Sequence, residues 1–166
     1  MKMNLLEPSL ADSFLVQYKQ LLSEVAGRPL SDVADFTKAR DTFYESGRNT
    51  CHPMHDPYDA PFISAVRGAI HGSFVYAKPY RQGYALKDEA GTWHCVTALT
   101  TPLEDLVPEW VMIRTAVMTF HGFTICDGLV VNHNFFIGKN MTQDMIQELK
   151  HERPKWTSNN ASACDS

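Results

Sequence analysis

The sequence predicts an α+β fold, with N-terminal helices packed on an antiparallel sheet of about five strands and a C-terminal helix closing the domain. Three observations predict it. Apolar residues recur at helical spacing up to about residue 72, short β-branched and aromatic runs broken by turn residues follow from about 73 to 138, and helical spacing returns at about 141–152. With 166 residues, 44% apolar and 20% charged, the chain suits a single globular domain over 1–156. The small, polar run TSNNASACDS at 157–166 is expected to be a disordered tail.

The first helix begins where Ser9 and Asp12 take capping-box spacing. It presents Phe14, Tyr18, Leu21, Leu22 and Val25 on one face and stops at Gly27. Ser31 can cap a second helix, with Val33, Phe36, Ala39 and Phe43 on its apolar face and an end near Ser46-Gly47. A third carries Phe62, Ile63, Val66, Ala69 and Ile70. Its start lies near Pro57 or Pro61, with Asp56 or Asp59 as the cap, and its end at His71-Gly72.

Five strand-like runs come next: SFVYAKPY, GYALKD, WHCVTALT, WVMIRTAVMTF and FTICDGLVV. The fourth lacks clean alternation, which marks a central strand covered on both faces. Asp127-Gly128 reads as a bulge, because the chain stays apolar on either side of it. In the last helix Asn140 is the expected cap, Met145, Ile146 and Leu149 face inward, and Pro154 ends the segment.

Within residues 72–131 the positions Gly72, Phe74, Lys78, Tyr80, Tyr84, Pro102, Phe120, Gly122, Asp127, Gly128 and Leu129 follow the pattern G-x-F-x-x-x-K-x-Y … F-x-G-x-I-x-x-D-G-L. In this the chain resembles uncharacterised bacterial proteins of unknown function. It departs from them at Ile125, one place off the spacing, and at Cys126, where the pattern has an aromatic residue. The resemblance implies the sheet-forming fold and no activity.

Charge and motifs narrow the function. Fifteen Lys and Arg against nineteen Asp and Glu give a net charge of −4, so phosphate neutralisation has no basic excess to draw on and no nucleic-acid partner is expected. No apolar run approaches the length of a membrane span, and the N-terminal apolar stretch is broken by Glu7-Pro8, so the expectation is a cytoplasmic protein without a membrane partner. Cys51, Cys95, Cys126 and Cys164 form no CxxC pair. Phosphate-binding glycine loops are absent.

Two constellations could carry chemistry. In CHPMHDPYDAP, the segment 51–61, Cys51, His52 and His55 offer part of a zinc set that His94, Cys95, His121 or His133 would have to complete; no cofactor is otherwise expected. The second is an aromatic strip. Phe74, Tyr76, Lys78 and Tyr80 share strand parity, and Tyr84 stands beside them, so Tyr76, Lys78, Tyr80 and Tyr84 are ligand-binding candidates if that face is open, and core if it is covered. Cys126 with His121, His133 and Asp127 has the parts of a thiol nucleophile site, but adjacent strand residues face opposite ways, which favours a buried structural thiol. The preferred reading is a non-enzymatic binding or assembly module whose partner is a protein or small ligand, with a homodimer as one form. The alternative is a metal- or cysteine-dependent enzyme using the loop 51–59.

Overall fold

Helix α1 spans Pro8–Ala26 and starts ahead of the expected Ser9 cap. Proline needs no amide partner at the first helical position, so the cap falls to Glu7, whose carboxylate accepts from the Ser9 amide at 3.2 Å. Gly27, at φ 75°, ends the helix in the left-handed region, with its amide donating to the Ser23 and Glu24 carbonyls. The molecule is a computed structural model describing residues 4–156, so the expected tail at 157–166 lies outside the described residues.

Helix α2 is Val33–Glu45, capped by Asp32 rather than Ser31, with the Asp32 carboxylate accepting from the Asp35 amide at 2.8 Å. After Gly47 the chain makes one unexpected turn, α3, over Arg48–Cys51. Helix α4 is Ala60–Arg67, and Asp59 is its cap, accepting from the Phe62 amide at 3.0 Å. It stops short of His71-Gly72 because Ile70, His71 and Gly72 already pair with Val117, Ala116 and Thr115 of the sheet. Pairing across the sheet overrides the helical spacing there.

The strands are β1 (Ile70–Pro79), β2 (Tyr84–Lys87), β3 (Trp93–Val96), β4 (Val111–Phe120), β5 (Phe123–Cys126) and β6 (Val131–Phe136). They form one antiparallel sheet in the order β3-β2-β1-β4-β5, with β6 also on β4. Strand β4 is central, as expected: β1 lies along one edge, and β6 and β5 share the other, β6 on its first half and β5 on its second. The last strand-like run of the sequence ends as a strand at Cys126, so Asp127-Gly128 lies in the connection to a further strand, β6, and not in a bulge within one strand. The sheet curls until the residue after β3 reaches β5, where the Thr97 amide donates to the Thr124 carbonyl at 2.8 Å. Asn4 to Leu6 extend this seam: the Ala98 amide donates to the Asn4 carbonyl at 2.8 Å and the Leu6 amide to the Ala98 carbonyl at 2.7 Å.

Strand parity separates three apolar clusters. The concave face of the sheet holds Phe74, Tyr76, Tyr84, Leu86, Val96, Val111, Ile113 and Val117, and Leu103 and Val107 from the β3–β4 connection close over it. On the convex face, Ala116, Met118, Phe120, Phe123 and Ile125 pack under Phe14, Tyr18, Leu21, Phe43 and Phe62 of the N-terminal helices. Farther along that face, Val75, Ala77, Ala85 and Trp93 receive Met145 and Leu149 of α5 (Lys139–Glu152). Among the described residues no helix is long and apolar enough to cross a membrane.

Candidate functional site

The loop 51–59 is anchored at a few residues. Met54 and Tyr58 are buried, and the Tyr58 ring stacks on Phe62 with centroids 5.6 Å apart. His52 lies edge-on to Phe43, its Nε2 3.4 Å from Glu24 Oε1 and its Nδ1 3.5 Å from Arg48 Nη2. Because a guanidinium can only donate, Nδ1 accepts there and Nε2 carries the proton toward Glu24. Arg67 donates to the Asn49 and His52 carbonyls at 3.0 and 3.1 Å, fixing the loop to α4. Cys51 and His55 stand exposed, so His52 points inward and the trio does not converge.

The sheet sends nothing to complete it. His94 pairs with Asp88 at 2.8 Å and His71 with Asp41 at 2.8 Å, while His121 lies edge-on to Phe120. Among the described residues no group of three His, Cys, Asp or Glu side chains is placed to hold a metal ion. Cys95 and Cys126 have poor nucleophile character, because burial pushes Cys95 up to about 11 and Cys126 up to about 12.

The aromatic strip does not form one face: the register shift between Tyr76 and Pro79 puts Tyr80 with the Val75-Ala77 cluster, opposite Tyr76. Tyr76 and Tyr84 are fully buried in the concave cluster with Phe74, which makes them core instead of an open binding face. The Tyr84 hydroxyl donates to the Glu104 carboxylate, whereas the Tyr76 hydroxyl has no partner among the described residues. Lys78 is exposed, with its ammonium 5.3 Å from the centroid of the half-buried Tyr80, whose ring also receives Arg153 at 4.4 Å. Asp88 and Glu104, outside the strands, are each tied to a specific partner, His94 and Tyr84.

A buried charge network joins the helices to the sheet. The Arg40 side chain is fully buried; its Nη1 donates to both Asp127 carboxylate oxygens at 3.1 and 3.0 Å and to the Leu129 carbonyl at 2.7 Å, and its Nε donates to Asp41 at 2.7 Å. Asp127 also accepts from Tyr18 Oη at 2.7 Å, Thr115 Oγ1 at 3.1 Å and the Leu129 amide at 3.0 Å. Burial and the adjacent Asp127 carboxylate raise the Tyr18 phenol well above its ordinary value, so it stays a donor. A cleft of about 300 Å³ opens beside this network between Leu15, Val33, Leu103, Leu106 and Leu129. Asp127 lies in its wall, but both oxygens are already engaged, so the network acts as a structural tie.

Strand β6 has the opposite character. It pairs with β4 through Val131↔Arg114, Asn132↔Ile113 and Phe136↔Val111, leaving His133, Asn134 and Phe135 outside the register. Asn134 adopts φ 58°, and its amide turns back to Asn132 Oδ1 at 2.7 Å, which makes this a bulge. Phe135 and Phe136 are adjacent and 64% and 62% exposed. They belong to a stretch, Leu129 to Gly138, without Asp, Glu, Lys or Arg. Comparison with known proteins gives no match: no family model, no curated protein and no solved structure aligns significantly with this chain.

Proposed function

We propose that this chain is a cytosolic, non-enzymatic binding or assembly module whose contact surface is the β6 edge. The observation that carries the reading is the pair Phe135-Phe136, standing in solvent on a strand with no charge to guard it. Edge strands normally carry lysine, proline, a bulge or a cover, because their unpaired backbone groups invite another chain, and β6 has only the bulge among these. Burying two such side chains on a partner would contribute about 1.5–3 kcal/mol each. The free thiols of Cys51, Cys95 and Cys126 suit a reducing compartment.

Titration with a fluorescent apolar dye tests the surface. Wild-type protein at low micromolar concentration should bind the dye, and a Phe135→Ser, Phe136→Ser variant with an unchanged melting temperature should bind markedly less. Equal binding by the two proteins would remove the β6 edge from consideration.

A further inference from the structure

We infer that the cleft between the first two helices and the β3–β4 connection is a binding site for a small, uncharged, mostly apolar molecule of about ten to fifteen non-hydrogen atoms that carries a hydroxyl or carbonyl group. Neither Phe135 nor Phe136 lines this cleft, so the site is independent of the β6 edge.

The room comes from segments that meet without filling the space between them. Leu15 of α1, Val33 of α2, Leu103 and Leu106 of the β3–β4 connection and Leu129 of the β5–β6 connection surround a volume of about 300 Å³. Gly128, at φ 83° beside Leu129, adds no side chain; a Cβ there would lie 3.8 Å from Leu99 Cδ1, so its absence is part of the room. An aliphatic-lined cavity of about 150 Å³ takes up a benzene, which makes a molecule of two fused rings a fit for this one. Val33 and Leu106, 70% and 45% exposed, stand at the mouth, where a ligand would cover both.

The charge of the walls selects the chemistry. Asp127 is the one ionisable carboxylate among the described residues that line the cleft, no Lys, Arg or His lines it, and Arg40 already matches Asp127. An ion entering the cleft would lose water and meet no free opposite charge, a cost that a neutral molecule escapes. Two other clefts differ in this respect, one rimmed by Arg28, Asp35 and Lys38 and the other by Lys38, Asp41 and Glu45. Thr100 and Thr101, exposed in the wall, leave one kind of polar contact on offer, since a hydroxyl both donates and accepts and so suits a ligand hydroxyl or carbonyl.

Amide chemical-shift mapping of the full chain tests the inference with naphthylmethanol, naphthoate and naphthylmethylammonium, which share one ring system, substituted at the same carbon, and differ in charge. The neutral alcohol should shift the amides of Leu15, Leu99 and Leu129 with a Kd of about 1 mM or tighter, in keeping with the affinity open to so small a ligand. Each ion should bind at least about tenfold more weakly. Val33→Asp and Leu106→Asp set a carboxylate at the mouth and should each weaken the alcohol at least about fivefold. Both positions are exposed, and an acidic residue suits the first turn of α2, so the fold is kept. The Phe135→Ser, Phe136→Ser variant should bind the alcohol as wild type does.

An alcohol that leaves those amides unshifted at millimolar concentration, ions that bind as tightly as the alcohol, or binding indifferent to both aspartate variants would overturn the site. Loss of the alcohol in the Phe135→Ser, Phe136→Ser variant would move its binding to the β6 edge and remove the cleft as well. Alcohol binding at the cleft that persists where the dye titration fails keeps this site and removes only the β6 edge.

Discussion

Arg40 decides more about this molecule than any other single residue. A fully buried guanidinium is tolerable only with its charge matched, and Asp127 and Asp41 match it. Arg40→Met should destabilise the fold by about 3–5 kcal/mol, because Asp127 would be left buried without its cation. In a chemical denaturation series the double variant Arg40→Met, Asp127→Leu should lose less than the sum of the single changes. Two tyrosines give a paired contrast. Tyr84→Phe removes a hydroxyl that donates to Glu104 and should cost about 1 kcal/mol, whereas Tyr76→Phe removes one with no partner among the described residues and should fall within about 0.5 kcal/mol of wild type or above it. The place of Arg40 was half legible in the sequence: it lies four residues after Phe36 and three before Phe43, on the apolar stripe of α2. Its partner was hidden, because the distance from Arg40 to Asp127 along the chain is closed only by the packing of α2 on the sheet.

At the scale of elements, the helices were read well wherever apolar spacing and a stop signal agreed, as from Phe14 to Gly27. Starts shifted by a residue where two cap residues adjoin, Asp32 displacing Ser31. Strand β6 was not legible as a separate strand. VNHNFF has neither alternation nor a flanking turn, and its pairing is interrupted by a bulge, so no local rule marks it. The loop 51–59 shows the converse, a stretch whose composition suggests chemistry but whose inward side chains, His52, Met54 and Tyr58, are spent on packing while Cys51 and His55 stay exposed. His52→Ala should lower the melting temperature by removing the contacts with Phe43 and Glu24, while exposed His55→Ala should leave it unchanged. Elemental analysis of protein purified without chelators should find no stoichiometric zinc. Stoichiometric metal lost in a His52→Ala, His55→Ala double variant would restore the enzymatic reading of this loop.

For the whole molecule, the carboxylates predict the response to acid. Burial alone would raise Asp41, but hydrogen bonds from His71 and Arg40 and the attraction of Arg40 outweigh it and hold the carboxyl below its ordinary value of 3.8. Asp88 is depressed in the same way: burial opposes, and hydrogen bonds from His94 and the Thr92 amide prevail. A carboxyl depressed in the folded state contributes stability above its unfolded value, and that contribution is lost as pH falls through the folded value. The melting temperature should therefore hold at neutral pH and decline below about pH 4, with a shallower decline for Asp41→Asn.

The seam where Thr97 meets Thr124 also sets how the chain comes together and apart. It joins the two ends of the strand order, and Asn4 to Leu6 can dock on it only once Ala98 is in place, so these contacts span long stretches of sequence. Ordering of the seam is then a late event in folding, because long loops must be closed before its bonds are gained. In native-state hydrogen exchange the amides of Leu6 and Ala98 should exchange through a smaller opening than those of the β1–β4 centre, so the curled sheet unzips from its seam while its middle stays closed.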